Sequence, residues 1–262
     1  MEACVILKWI RDNEVKANPD KFHMVLSEKS PIYLIEIEGE KVFNSEKKKL
    51  LGTTIDTKMV FNDHVSKLCS TVSSKLHALS RISHFMTFEQ RKTILNAFIL
   101  SHFSNCPLVW IFHSRSLNNR INHLHERALR LVYQDSTNTF EDLLVRNGSV
   151  SIHNRNIQTL GIEMYKVYYN ISPKIMNLVF PLKEGKKYPR SNAFETRNVK
   201  KVYHGTETLA HLGPKVWAMI PNDFKKFSLS KFKLKIRNWK PDKCPCRLCK
   251  LYVKDIGFVE TT

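Results

Sequence analysis

Glycine is scarce in this sequence, and long apolar segments are missing. Only 8 of the 262 residues are glycine, which argues against collagen-like, propeller and glycine-rich barrel folds. The best apolar run, from Pro107 to Phe112, is six residues long, whereas a membrane-spanning helix needs roughly 20. The N-terminus also lacks the basic flank and the apolar core of a signal peptide. We therefore expect an intracellular protein, nuclear or cytoplasmic, that is not secreted and has no membrane partner.

Several catalytic signatures are absent as well. The sequence contains no G-x-x-x-x-G-K-[ST] or G-x-G-x-x-G loop to cradle phosphates, and no G-x-S-x-G turn to present a nucleophilic serine. The pair His125-Glu126 invites a zinc-protease interpretation, but residue 129 is leucine where H-E-x-x-H requires its second histidine. The pattern favours a polar helix face at this pair.

Positive charge is what the sequence has in excess. It contains 42 Lys and Arg against 24 Asp and Glu, a formal net charge of +18. Residues 1–60 hold ten of each sign, whereas residues 181–250 hold eighteen basic and five acidic residues, so this quarter of the chain contributes 18 − 5 = +13. A block of this size is typical of proteins that bind a polyanion, and nucleic acid is the polyanion we expect inside a cell.

The apolar pattern predicts a mainly α fold that begins with a small β segment. In residues 1–58, short β-rich runs punctuated by proline and glycine predict an antiparallel hairpin or meander, with a solvated turn at Lys47-Lys48-Lys49. In residues 59–181 the apolar period becomes helical and predicts a bundle of helices. Capping residues mark the start of three of them, at Thr87, Thr139 and Ser151. Ser172-Pro173 is expected to start another.

The remaining region, residues 182–262, is predicted to be basic and partly irregular. Residues 202–220 are rich in aromatic and turn-forming residues. A helical stripe follows over residues 229–239, although residues 231–236 also alternate like a strand. We favour a helix because Ser228 can cap it and Trp239 extends the same stripe.

Two groups of basic residues are candidates for binding phosphates. The first lies opposite the apolar stripe of the helix predicted over residues 117–131, and consists of Arg115, Arg120, Arg127 and Arg130. The second lies in the last predicted helix, and consists of Lys231, Lys233, Lys235 and Arg237. Arginine offers paired donors to phosphate oxygens, and such contacts bind without reading the sequence of bases. A solvated basic surface is the alternative interpretation.

Three cysteines near the C-terminus form the densest cluster of chemically reactive residues. Cys244, Cys246 and Cys249 lie within six residues, and three thiolates could bind one Zn²⁺ ion. A fourth ligand is missing nearby, so it would come from a distant residue such as His204 or His211, or from another chain. Three reduced, partly buried thiols are the alternative.

Seven short segments have an order and spacing that is specific as a set. They are Asn18-Pro19-Asp20-Lys21, Leu51-Gly52-Thr53-Thr54-Ile55-Asp56, His64-Val65, Cys106-Pro107-Leu108-Val109-Trp110, His125-Glu126-Arg127-Ala128-Leu129-Arg130, Leu212-Gly213-Pro214-Lys215-Val216-Trp217 and Cys244-Pro245-Cys246-Arg247-Leu248-Cys249-Lys250. From about Trp9 to Phe258, the chain resembles the C-terminal part of the reverse transcriptase of non-LTR (LINE-type, Jockey-like) retrotransposons.

The resemblance implies roles for several residues. Residues 1–58 would be the end of the palm, with Lys21 near the phosphates of the incoming nucleotide, and Leu51 and Gly52 in the hairpin that grips the primer. Residues 59–181 would be the thumb, which follows the template–primer duplex, and residues 182–262 a basic, Cys-containing tail that binds nucleic acid.

One departure from the family bears on catalysis. The family's RNA-directed DNA polymerases use an early palm aspartate and an Asp-Asp pair to hold two Mg²⁺ ions. This sequence contains no Asp-Asp, and Met1 falls just after the place where the pair should lie. We therefore expect no polymerase activity from the chain by itself, with Mg²⁺ relevant only in a complete polymerase.

Three hypotheses follow. The first is a non-catalytic fragment of a retrotransposon reverse transcriptase that binds RNA or DNA. The second is one part of an active enzyme whose palm is encoded upstream or in another chain. The third is a helical protein-interaction module whose charge is incidental.

Overall fold

The chain forms two compact units in the computed structural model, Met1–Phe61 and Asn62–Thr262. The structure describes residues 8–10, 12–15, 18, 22–25, 34–37, 40–183, 193–196, 208–242 and 244–246. About 58% of the structure is helical, and two small antiparallel strand pairs lie near the N-terminus. The predicted mainly α fold is therefore confirmed. Among the helices described, none combines the length and apolarity needed to cross a membrane.

Two antiparallel strand pairs are described in the first unit. Strand β1 (Leu34–Ile37) pairs with β2 (Glu40–Phe43), and β3 (Lys47–Leu50) pairs with β4 (Thr53–Asp56). The turn predicted at Lys47-Lys48-Lys49 is wrong, because these lysines form most of β3.

The chain reverses instead at Leu51 and Gly52, which both have positive φ, at 47° and 87°. Two consecutive residues of this kind form the two-residue turn that matches the twist of a β-hairpin. Lysines are tolerated in β3 because their long side chains keep the charge in water, and lysine on an edge strand discourages further pairing.

Nine α-helices are described in the second unit. They are α1 (Asn62–Ile82), α2 (Phe88–Ile94), α3 (Arg115–Tyr133), α4 (Phe140–Arg146), α5 (Ile152–Tyr168), α6 (Met176–Val179), α7 (Leu209–Met219), α8 (Asn222–Lys225) and α9 (Leu229–Arg237). The helix that starts at α2 continues as a π-helical stretch (Leu95–Ile99) and a 3₁₀ stretch (Leu100–Ser104).

The predicted helix caps are confirmed at three positions. Thr87 and Thr139 form reciprocal capping boxes with Gln90 and Asp142, and the Ser151 hydroxyl accepts a hydrogen bond from a backbone N–H in the first turn of α5. Ser172-Pro173 does not start a helix directly, because α6 begins at Met176.

The turn-rich segment predicted over residues 202–220 is a helix in its described part. Helix α7 runs from Leu209 to Met219 with Pro214 inside it. Proline removes a hydrogen bond from a helix interior and normally disfavours it. Here the helix buries Leu212, Val216 and Trp217 in the core, and this burial outweighs the local preference.

Helix α5 lies at the centre of the hydrophobic core that also contains α7. Helices α7 and α9 pack against it, so the described part of residues 182–262 shares one hydrophobic core with residues 59–181. Gly161 of α5 marks a close approach to α9, because a Cβ atom added there would lie 2.7 Å from Ile236 Cδ1. The helix predicted around residues 229–239 is confirmed as α9, which buries Phe232 and Ile236.

Candidate metal centre and basic surfaces

Three side chains from distant parts of the chain meet at one point. The Sγ atom of Cys246 lies 3.1 Å from His153 Nε2, the Sγ atom of Cys244 lies 3.6 Å from it, and the two sulfurs are 3.2 Å apart. His153 is in the first turn of α5, two residues after the Ser151 cap. The two cysteines follow α9 along the chain, and together the three residues could hold a metal ion.

The centre is enclosed by protein. His153 and Cys246 are buried and Cys244 is partly buried, and both cysteines border the hydrophobic core around α5. Burial by itself disfavours a charged imidazole, but hydrogen bonds and negative charge from the two thiol groups outweigh it and raise the pKa of His153 to about 10.

The composition of the ligand set indicates the class of metal. Thiolate sulfur and imidazole nitrogen are the ligands that Zn²⁺ prefers, whereas Mg²⁺ and Ca²⁺ prefer oxygen ligands.

The structure brings together some of the predicted ligands and supplies one that the sequence analysis missed. Cys244 and Cys246 are in the group, while Cys249 and His204 lie outside the described residues. Among the described residues, the histidine of the group is His153 and not His211. No local pattern could have indicated His153, because it is separated from Cys246 by 93 positions.

One further contact holds the same two segments together. The side-chain amide of Gln158, in α5, donates hydrogen bonds to the backbone carbonyls of Arg237 and Trp239, at 3.0 and 2.7 Å. These carbonyls lie at the C-terminal end of α9, where a helix leaves acceptors unsatisfied.

Helix α9 presents a dense basic surface. All four of its predicted phosphate-binding residues are exposed: Lys231, Lys233, Lys235 and Arg237. Spaced as i and i+4 pairs, they flank the buried stripe of Phe232 and Ile236 on both sides. None of the four forms an ion pair within the described part of the chain.

The four arginines of α3 have different environments. Arg130 is engaged within the fold, since its guanidinium forms an ion pair with Glu126 at 2.7 Å and donates to the backbone carbonyl of Asp135. Arg115 is partly buried in the first helical turn. The remaining two arginines lie at the surface that α3 shares with α1.

At that surface, Arg120 donates a hydrogen bond to the hydroxyl of Ser70, and the Arg127 guanidinium lies against the His77 ring with N–N distances of 3.4 and 3.5 Å. The two contacts are seven residues apart on both helices, which is a separation of about 10.5 Å along the helix axis.

Two other predictions concern the first unit. Lys21 lies outside the described residues. Leu51 and Gly52 form the tip of the β3–β4 hairpin, where the Leu51 side chain is 86% exposed. The hairpin exists, and its role in gripping a primer stays a prediction.

The polar helix face expected at His125-Glu126 is wrong. Both residues are buried, because α3 is packed on several sides. The His125 ring makes an edge-to-face contact with Phe140, and burial lowers its pKa to about 3.

No protein-family model, curated protein or solved structure matches this chain.

Proposed function

We propose that this chain is a non-catalytic C-terminal fragment of a non-LTR retrotransposon reverse transcriptase that binds RNA or DNA, and that it holds Zn²⁺ at the centre formed by His153, Cys244 and Cys246. The resemblance of the sequence motifs suggests the family. The arrangement of charge on the surface supports the binding function.

The observation that carries the proposal is the surface of α9. Four of the nine residues of α9 are exposed lysines or arginines, and the helix contains no acidic residue to neutralise them. Concentrating like charge destabilises a fold through self-repulsion, so a basic cluster that forms no ion pair within the described residues indicates a polyanionic ligand. Because no motif reads base edges, binding should depend on the phosphate backbone and be largely independent of base sequence.

The surface shared by α1 and α3 supports the same function. Between Arg120 and Arg127, the exposed part of α1 carries short side chains such as Ser70 and Ser74. Short polar side chains let a nucleic-acid backbone approach closely, while the two arginines supply charge and paired donors to phosphate oxygens. This geometry suits a thumb-like surface that follows a duplex.

Zinc is the metal that this ligand set favours. Binding requires the His153 proton to leave, so that Nε2 can donate its lone pair while Cys244 and Cys246 bind as thiolates. The released protons go to solvent. Structural zinc sites have four ligands, and Cys249 remains the proposed source of a third sulfur.

Catalysis is not part of the proposal for this chain alone. The sequence has no Asp-Asp pair to hold the two Mg²⁺ ions of a polymerase. A separately encoded palm domain would be the partner needed for synthesis.

The decisive experiment measures binding to RNA–DNA duplex and to single-stranded RNA over a range of salt concentrations. Contact with about six phosphates predicts a slope of log affinity against log salt of roughly −4 to −5. Replacing Lys231, Lys233, Lys235 and Arg237 with Gln should weaken binding to every sequence and flatten this slope.

A matched control variant keeps the change in net charge but moves it elsewhere, with Lys58, Lys92, Lys174 and Lys215 replaced by Gln. It should bind more tightly than the α9 variant. If both variants bind as the wild type does, the basic surface is merely solvated and the interaction-module hypothesis gains.

A further inference from the structure

The candidate metal centre and the proposed nucleic-acid surface are connected through the chain. Cys244 follows the last residue of α9 by seven positions, and His153 is anchored in α5 against which α9 packs. A metal ion at this centre would therefore join α5 to the segment that leaves α9.

The N-terminal half of α9 is held firmly without a metal. The hydroxyl of Tyr165 donates to the backbone carbonyl of Phe227 at 2.6 Å, just before the helix begins, and its ring stacks on Phe232 with centroids 4.4 Å apart. Phe232 is fully buried. These contacts place the first turn of α9 against α5.

The C-terminal end of α9 is held by a different set of contacts. Ile236 is buried near Gly161, and Gln158 binds the carbonyls of Arg237 and Trp239. A helix of nine residues is too short to be stable by itself in water, so its last turn depends on attachments of this kind. That turn carries Lys235 and Arg237, half of the basic surface.

We propose that the metal centre is a clamp that sets the affinity of the basic surface for nucleic acid. Zn²⁺ bound by His153, Cys244 and Cys246 fixes the segment after α9 to α5, and this keeps the last turn of α9 helical with its two cations beside those of the preceding turn. Loss of the metal loosens that turn and lowers the affinity. The inference rests on the proposed nucleic-acid-binding function.

The test compares the full chain loaded with one equivalent of Zn²⁺ and the same protein stripped with a chelator. The probe is a single-stranded RNA of about 20 nucleotides, titrated at fixed salt. Because coupling between two sites is typically about 5- to 150-fold, we expect the zinc-loaded protein to bind at least about fivefold more tightly. A Cys244→Ser/Cys246→Ser variant should bind as the stripped protein does and should not respond to Zn²⁺. Cys106→Ser, which changes an exposed cysteine outside the centre, should retain the full response.

Hydrogen exchange of the wild-type chain keeps the proposal testable if the double variant fails to fold. Removal of Zn²⁺ should lower protection of the backbone amides over residues 235–239 while α1 and α3 keep theirs. A uniform loss of protection across the second unit would overturn the clamp, because the metal would then support the whole fold.

The two proposals fail in different ways. Equal affinity with and without Zn²⁺ would overturn the clamp and leave nucleic-acid binding intact. Absence of RNA binding in both forms would overturn the proposed function itself.

Discussion

The sulfur of Cys246 lies 3.1 Å from the Nε2 atom of His153, although 93 positions separate the two residues in the sequence. The sulfur of Cys244 lies 3.2 Å from that of Cys246. Three groups that could bind a metal ion are therefore close together in the folded chain.

We predict that the chain binds one Co²⁺ or Zn²⁺ ion through this group. Loss of a second-shell partner typically lowers metal affinity about 10- to 100-fold, so His153→Gln, which removes a direct ligand, should cost at least about 100-fold. Sulfur-to-cobalt charge-transfer absorption reports thiolate binding directly. A His211→Gln variant serves as the control and should keep wild-type affinity. Unchanged cobalt spectra in His153→Gln would contradict the assignment.

Arg91 should be one of the most important polar residues for stability. Its buried guanidinium donates to the backbone carbonyls of Val132, Ser83 and Met86, at 3.0, 3.3 and 2.7 Å. Arg91→Met leaves these buried acceptors without donors, and we expect a loss of about 3 kcal/mol in the free energy of unfolding. Urea denaturation measures it. Exposed Arg81→Met is the control, with an expected change below about 0.5 kcal/mol.

Gly161 should be required because of packing. A Cβ atom there would lie 2.7 Å from Ile236 Cδ1 and 2.9 Å from Ile220 Cδ1. Overpacking costs about 1–3 kcal/mol, and alanine recovers about 1 kcal/mol of helix propensity, so Gly161→Ala should destabilise the protein by about 1 kcal/mol. Ile236→Val removes the atom nearest the new methyl group.

The double variant Gly161→Ala/Ile236→Val should therefore lose less stability than the sum of the two single changes. Additive losses in urea denaturation would show that this close approach is not what excludes alanine.

Acid should destabilise the second unit through two buried histidines. Burial lowers the pKa of His113 to about 4 and that of His125 to about 3, from a usual value of 6.5. Below pH 6.5 the unfolded chain binds these protons and the folded chain does not, so stability is fully present above pH 6.5 and is lost as the pH falls towards 4. Each histidine should contribute a slope of about 1.4 kcal/mol per pH unit.

His153 adds little slope well below pH 6.5, because its imidazole is then protonated in the folded metal-free protein, where its pKa is raised to about 10, and also in the unfolded chain, where its pKa is the usual 6.5. Fluorescence of the buried Trp110 and Trp217 during urea unfolding at pH 5 and pH 6.5 gives the free energies. The variant His125→Phe, which cannot bind a proton at this position, should reduce the slope of stability against pH by about 1.4 kcal/mol per pH unit. The exposed control His123→Phe should leave the slope unchanged. Equal slopes in all three proteins would refute the prediction.

The purified chain should not extend a primer with Mg²⁺ or Mn²⁺. Polymerisation requires carboxylates that hold two metal ions, and the sequence offers no Asp-Asp pair. Template-dependent incorporation of nucleotides, in a preparation free of other polymerases, would overturn this expectation and would favour the hypothesis of an active enzyme.

The sequence by itself determined the elements whose causes are local. Helix α1 buries Val65, Cys69, Val72, Leu76 and Leu79, which recur at spacings of three and four, because residues spaced in this way share one helix face. The helix caps at Thr87 and Thr139 could also be predicted from the sequence, because their hydrogen bonds join residues only three positions apart. The helical stripe of α9 also belongs here.

Only the tertiary structure decided which distant groups meet. Helix α7 forms around Pro214 because its apolar residues are buried against α5, an energy that local preferences do not contain. The same packing places Gly161 beside Ile236, and it brings His153 rather than His211 to the two cysteines. Such contacts depend on how whole helices pack, and side-chain packing acts between residues that are neighbours in space whatever their separation along the chain.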